Sequence, residues 1–283
     1  MKFLGIGDNV ADKYVNKEIM YPGGNALNFA AYAKMLGHDS AYLGIFGSDE
    51  IATFVKSVLE KMGIDYSRSV TLEGENGYAN VQLVEGDRTF LGSNKGGVAK
   101  DAQLVIDEMD ETYLRQFNLI CSSINSHMDD LLVSICKRFD IPLAYDFSEK
   151  GTEKIFAKMA PYLKFAIISC GNISKEKMYQ QVNFLLEHGC QNVIATRGVE
   201  GSYFFDGNQE FFQPAQNVEA IDTLGAGDSY LSAMITTYMQ LVQDNPYEMV
   251  VQTAMKKAAD FSAQNCLVDG AFGYGAKIPQ NIN

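Results

Sequence analysis

The stretch Asp222-Thr223-Leu224-Gly225-Ala226-Gly227-Asp228 runs directly into a segment, 225–243, whose apolar residues recur at helical spacing. Two glycines and an alanine therefore stand at the entrance to a long helix. The start of a helix carries N–H groups with no partner inside the helix, and the positive end of the helix dipole lies there too, so such a turn is a ready anion site. Gly225 and Gly227 permit close backbone approach and unusual torsions. Asp228 adds a carboxylate at the same place. By itself this acid is equally a first-turn residue, favoured by the dipole by about 0.3–1 kcal/mol. Beside a bound anion it is suited to taking a proton from an attacking hydroxyl while the N–H groups hold a transferred phosphoryl group. The spacing is not that of a Walker loop, and Tyr230 stands where G-x-G-x-x-G requires its third glycine.

Upstream of this turn the chain alternates short apolar runs with helical segments. Residues 119–124, 142–147, 165–169 and 193–196 are rich in Ile, Leu, Val, Phe and Ala, and helical spacing fills 129–139 and 174–188 between them. Continuous apolar strands separated by helices predict a parallel sheet covered on both faces, an α/β fold. A second helical segment, 246–264, follows the one that begins at Gly225. Two stretches break the alternation. Residues 78–84 and 88–92 flank Glu85-Gly86-Asp87 as a hairpin, and residues 12–21 read as extended. These pieces predict either a small antiparallel sheet standing off the main layer or an extra hairpin at its edge.

Bulk composition narrows the function. With 23 basic and 35 acidic residues in 283, the net charge of −12 argues against a nucleic-acid binder, which needs a basic stripe, and disfavours an anionic membrane. The five cysteines are widely spaced without a C-x-x-C pair, and there are only three histidines, which argues for reduced thiols rather than a zinc site. The N-terminus meets Asp8 too early for a signal peptide, and no apolar run approaches the ~20 residues of a membrane span. A cytoplasmic protein with a small-molecule partner is expected.

A second glycine cluster lies near the start. Pro22-Gly23-Gly24-Asn25-Ala26-Leu27-Asn28 opens a helical stretch that closes at Gly37. Asn25 reads as a helix N-cap or, together with Asn28, as an amide that binds sugar hydroxyls. The two blocks, 23–28 extended through Gly44-Ile45-Phe46-Gly47-Ser48-Asp49 and 222–230, resemble the signatures of the ribokinase-like, or pfkB, family of carbohydrate kinases. The resemblance runs in consistent order from Phe3 to about Gly273. It implies a single domain over 1–283: a three-layer α/β/α sandwich with a small β-sheet lid at about 12–21 and 77–98.

The same resemblance implies site residues. Asp228 matches the catalytic base, and Gly225, Ala226 and Gly227 match the anion hole. Asp12, Gly24 and Asn28 match sugar-contacting positions. Thr196, Gly198 and Gly201 match a loop beside the nucleotide phosphates, Asn265 a position bordering adenine, and Asp222 a position near a monovalent cation such as K+. ATP with Mg2+ is the implied donor. One departure is the N-x-x-E motif linked to magnesium: here Asn172 and Glu176 are spaced by four.

Within the family, Gly7-Asp8-Asn9, Gly86-Asp87-Arg88 and Asp146-Phe147-Ser148 are most similar to members that phosphorylate fructosamines such as fructoselysine. Fructokinase, ribokinase or nucleoside kinase activity is the alternative, and a catalytically silent binding protein is a third. Arg88 and Lys95 read as contacts to an anionic group or as a solvated lid edge. His127 reads as a substrate contact or as a capping residue. Tyr78, Asn80 and Gln82 alternate on one strand face, either lining the sugar pocket or forming a lid-mediated homodimer.

Overall fold

The computed structural model describes residues 1–84, 87–106 and 110–279. Its main sheet has nine strands in the order β13-β12-β11-β10-β9-β8-β1-β4-β5. In chain order these are β1 (Lys2–Gly7), β4 (Asp39–Phe46), β5 (Val70–Thr71), β8 (Leu119–Ser123), β9 (Leu143–Asp146), β10 (Leu163–Ser169), β11 (Val193–Thr196), β12 (Ser202–Phe205) and β13 (Glu210–Gln213). All neighbours from β11 to β5 pair in parallel, and β12 and β13 close one edge antiparallel. The four predicted apolar strands are β8 to β11, and each is nearly buried end to end, as a sheet covered on both faces requires.

Helices α1 (Asn25–Met35), α7 (Ala226–Leu241) and α8 (Tyr247–Asn265) cover one face, where Phe3, Phe29, Phe165, Met234 and Val250 share a core. Helices α4 (Asp129–Phe139), α5 (Glu153–Met159) and α6 (Lys175–Glu187) cover the other around Ile120, Leu143, Ile168 and Val182. Burying each such side chain stabilises the fold by about 1.5–3 kcal/mol. Helix α2 (Glu50–Met62) is bounded as its sequence dictates: the Asp49 carboxylate accepts from the Ala52 N–H at 2.9 Å, and Gly63 ends it at φ 66°.

Five strands form a second sheet in the order β14-β3-β2-β6-β7, with β2 (Val10–Tyr14), β3 (Ile19–Gly23), β6 (Tyr78–Val84), β7 (Asp87–Ser93) and β14 (Ala276–Lys277). The expectation of an antiparallel sheet needs correction. Residues 12–21 are not one extended run but a hairpin, and β2 meets β6 in parallel. The turn residues 85 and 86 lie outside the described residues. The register also places Tyr78, Asn80 and Gln82 on the face of Ala11 and Lys13, opposite Asp12 and Tyr14. The Lys13 ammonium accordingly sits 3.5 Å above the Tyr78 ring.

Candidate active site

In a parallel sheet, ligands gather at the carboxyl ends of the strands where the strand order reverses. Here the reversal lies between β1 and β8. Asp8 follows β1, Ser123 ends β8 and Asp146 ends β9, so three polar side chains converge there without being neighbours in sequence. The Asp8 carboxylate accepts the N–H groups of Asn25 at 2.8 Å and Ala26 at 3.3 Å, and the Ser126 hydroxyl at 2.8 Å. It therefore neutralises the start of α1. Gly24, at φ 106°, is needed for this docking, because a Cβ there would meet the Asp8 carbonyl at 2.7 Å and the Asn9 Cα at 2.9 Å.

With its start already paired to a carboxylate, α1 offers side chains rather than an anion hole. Asn25 Nδ2 donates to Asp228 Oδ1 at 2.8 Å, and Asn28 Nδ2 donates to Asp228 Oδ2 at 2.6 Å. The two expected asparagines thus grip both oxygens of the expected base. Asn28 Oδ1 is buried without a partner, an acceptor left over beside that carboxylate.

Asp228 stands in the first turn of α7, whose start is shaped by the glycine turn. Gly225 has φ 73°, and a Cβ on it would overlap the Tyr32 hydroxyl and come within 3.0 Å of the Ala271 Cβ. Tyr32 in turn donates to the Ala271 carbonyl. Ala226 N–H bonds back to Thr223 O at 3.3 Å. Gly227 is different: its position is exposed, and an added Cβ would find nothing within 4 Å. Helix geometry directs the N–H of Gly227 outward from the helix start.

That start opens on a cavity of about 500 Å³. Ala226 and Gly227 form one end, and Thr196, Gly198 and Gly201 line its side. Ala259, Ala263 and Cys266 supply an apolar wall at the other helix. The loops after β10 and β11 meet over one guanidinium: Arg197 Nη1 donates to the carbonyls of Cys170 and Ile173, both at 2.9 Å, while Nε and Nη2 hold Glu200. Asn172 lines the cavity, and Glu176 lies in the first turn of α6.

Several expected residues have other duties. Asn265 does not line the cavity; it is buried, with Nδ2 on the Leu224 carbonyl at 3.2 Å, and the cavity wall beside it comes from Ser262, Ala263 and Cys266. Asp222 is fully buried: Oδ2 accepts from the Tyr14 hydroxyl at 2.6 Å and the Gly270 N–H at 2.9 Å, and Oδ1 from the Leu224 N–H at 2.9 Å. It fixes the glycine turn to the small sheet. His127 is exposed, and its loop instead sends Asn125 and Ser126 inward. Asp12 is buried, and a Cβ on Gly23 would overlap its carboxylate. The Arg88 side chain lies outside the described residues, and Lys95 is exposed.

A sequence profile of the pfkB family carbohydrate kinases matches residues 6–272. The chain belongs to the pfkB family. Fructosamine kinase FrlD of Bacillus subtilis is 38% identical over 278 residues, 97% of this chain and 94% of that protein. Fructoselysine 6-kinase of Escherichia coli is 32% identical over 236 residues, covering 83% and 88%. Arabidopsis thaliana ribokinase, solved with ribose and ATP, superposes with a TM-score of 0.77 over 96% of this chain and 94% of its own, at 18% identity. An Escherichia coli chain of the ribokinase type, solved with ATP and Mg2+, gives 0.75 at 20% identity, covering 96% and 94%. These likenesses speak to the fold alone. This pfkB protein is an ATP-dependent sugar kinase.

Sequence reasoning quoted Asp8 and Asp146 only inside matching strings and assigned them no role. Asp146 lies near the end of an apolar run expected as a parallel strand, which was the available signal for it, whereas the run before Asp8 is not among those expected strands. Asp146 is 7% exposed; burial first, and then the neighbouring Asp228 carboxylate, push its carboxyl up to about 7. Its Oδ1 accepts the Ser148 N–H at 2.7 Å.

Proposed function

We propose that this kinase transfers the γ-phosphoryl group of ATP to a primary hydroxyl of a fructosamine such as fructoselysine, with Asp228 as the general base. The observation that carries the chemistry is the position of Asp228: both its oxygens are gripped by Asn25 and Asn28 at the start of α7, where the helix opens on the cavity. The attacking O–H gives its proton to Asp228 as the oxygen bonds to phosphorus, and ADP leaves. The outward N–H of Gly227, at the end of the Gly225–Gly227 turn, offsets charge on the phosphoryl oxygens, and such stabilisation contributes more in most enzymes than the roughly 10²–10⁴-fold of a general base. Thr196, Gly198 and Gly201 flank the nucleotide. Asp12 and the spare Oδ1 of Asn28 accept sugar hydroxyls, and the small sheet serves as the lid that excludes water. An intact base and cavity favour catalysis over silent binding.

Among the described residues no group of three or more His, Cys, Asp or Glu is arranged to hold a metal ion. Mg2+ arrives bound to ATP and neutralises its phosphates. Among the described residues no helix is long and apolar enough to cross a membrane. The five cysteines are free thiols, which fits a cytoplasmic location. The exposed Phe90 and Leu91 of the lid edge, 63% and 52% accessible, suit a second copy of this chain, and the mass in solution checks that part.

Two relatives named for fructosamine substrates, at 38% and 32% identity, support the choice of sugar. The test is ATP consumption across fructosamines, ketohexoses, ribose and nucleosides. Turnover of fructoselysine should exceed that of fructose under matched conditions, and the reverse order would favour the fructokinase reading. In the same assay Asp12→Ala should raise the sugar KM by about tenfold or more, the loss expected for a buried hydrogen bond to a charged group. The ATP KM should barely move; an unchanged sugar KM would remove Asp12 from the site.

A further inference from the structure

The base is held by a chain of side chains whose direction is fixed at its far end. Lys150 Nζ, which can only donate, reaches Asn125 Oδ1 at 2.6 Å. That leaves Asn125 Nδ2 to donate to Asn25 Oδ1, at 2.8 Å. Asn25 Nδ2 is thereby turned toward the carboxylates, 2.8 Å from Asp228 Oδ1 and 3.3 Å from Asp146 Oδ2. The Asp228 carboxylate, which only accepts, favours the same orientation of Asn25 from the other side, so the lysine and the acid hold the two amides from opposite ends. We propose that Asn25, oriented by Lys150 through Asn125, is the positioning residue that aims Asp228, and that it couples the base to Asp146 as one electrostatic unit. The inference rests on Asp228 being the base.

Asp146 faces Asp228 from α7, Asp8 from the end of β1 and Cys121 from β8, with Tyr145, Glu149 and Lys150 on its own segment. Three carboxylates share this space, and amide and hydroxyl donors hold each of them. Two interacting carboxyls titrate as a pair. As pH rises through about 7, Asp146 ionises, and its charge strengthens Asp228 as a proton acceptor. Asp146 touches neither proton nor phosphoryl group in this scheme; it acts through Asp228.

The test joins steady-state kinetics with pH profiles on the full chain and MgATP. Asn25→Ala should lower kcat by about 10²-fold, the usual loss for a misplaced reacting group, with the sugar KM within about threefold. Lys150→Met, at an exposed position that should not disturb folding, should shift kcat in the same direction, and Lys150→Arg should restore it. The native enzyme should gain kcat between about pH 6 and 8 relative to the isosteric Asp146→Asn, in which that rise is lost. Titration of ATP is common to both enzymes and cancels in the comparison. A loss in Asn25→Ala or Lys150→Met confined to KM would overturn the positioning role. Superimposable pH profiles for native enzyme and Asp146→Asn would overturn the coupling. Neither result depends on Asp228→Asn, whose turnover tests the base assignment separately.

Discussion

Asp228→Asn should lower kcat by at least about 10²–10⁴-fold, the usual contribution of a general base. The substitution keeps the shape of the side chain and removes its ability to accept a proton. Its effect on folding is the balance of two opposing changes. One oxygen now gripped by Asn25 or Asn28 becomes an NH₂ facing another NH₂, which costs about 1–3 kcal/mol for an unsatisfied buried donor. Against this, the repulsion from Asp146 is relieved. The melting temperature should therefore stay near that of the native protein, and calorimetric ATP binding should persist. Undiminished turnover would sink the assignment of Asp228.

The second large effect separates two glycines that look alike in the sequence. Gly225 has φ 73°, where a side chain costs about 1–2 kcal/mol, and its Cβ would also collide with Tyr32 and Ala271. With about 1–3 kcal/mol more for overpacking, Gly225→Ala should lower Tm by on the order of 5–15 °C. Gly227 has no positive φ, and its Cβ meets nothing within 4 Å. Gly227→Ala should fold at least as well, gaining up to about 1 kcal/mol from a better helix former. Its methyl group would instead enter the cavity mouth, so kcat/KM for ATP should fall by about 10²-fold. Thermal melts beside ATP kinetics check both. Equal melting of the two variants would remove the distinction.

Much of the frame was legible because it depends on local pattern. The apolar strands at 119–124 and 193–196 and the helix at 129–139 appear within a residue or so of their expected bounds. Strand and helix periods follow from burying one face, and those periods are written in consecutive residues. The lid was less legible. Residues 12–21 contain a turn at 15–18 without Gly or Pro, so the hairpin carried no breaker signal. The parallel contact between β2 and β6 joins segments more than sixty residues apart, which no local pattern encodes.

For the site, the residues at helix starts drew expectations from the sequence and those at strand ends did not. Asp228, Asn25 and Asn28 stand beside glycines whose unusual torsions advertise a special turn. Asp8 and Asp146 follow ordinary apolar strands and look like the polar residues that end any strand. Asn265 is the converse case: its place near the end of a helix is legible in the sequence, whereas the direction of its side chain, onto the Leu224 carbonyl, is set by the fold.

The sequence by itself determined a parallel α/β sheet, extended segments outside its alternation, and Asp228 at the start of a helix beside two glycines. It determined these because periodicity and turn chemistry act within a few residues. Only the tertiary structure decided that Asn25 and Asn28 grip that acid, that Asp146 shares its charge, and that Lys150 orients the network. Those relations exist because strand order brings the ends of β1, β8 and β9 together under α7, and bonds across a hundred residues of chain or more follow the fold rather than the sequence.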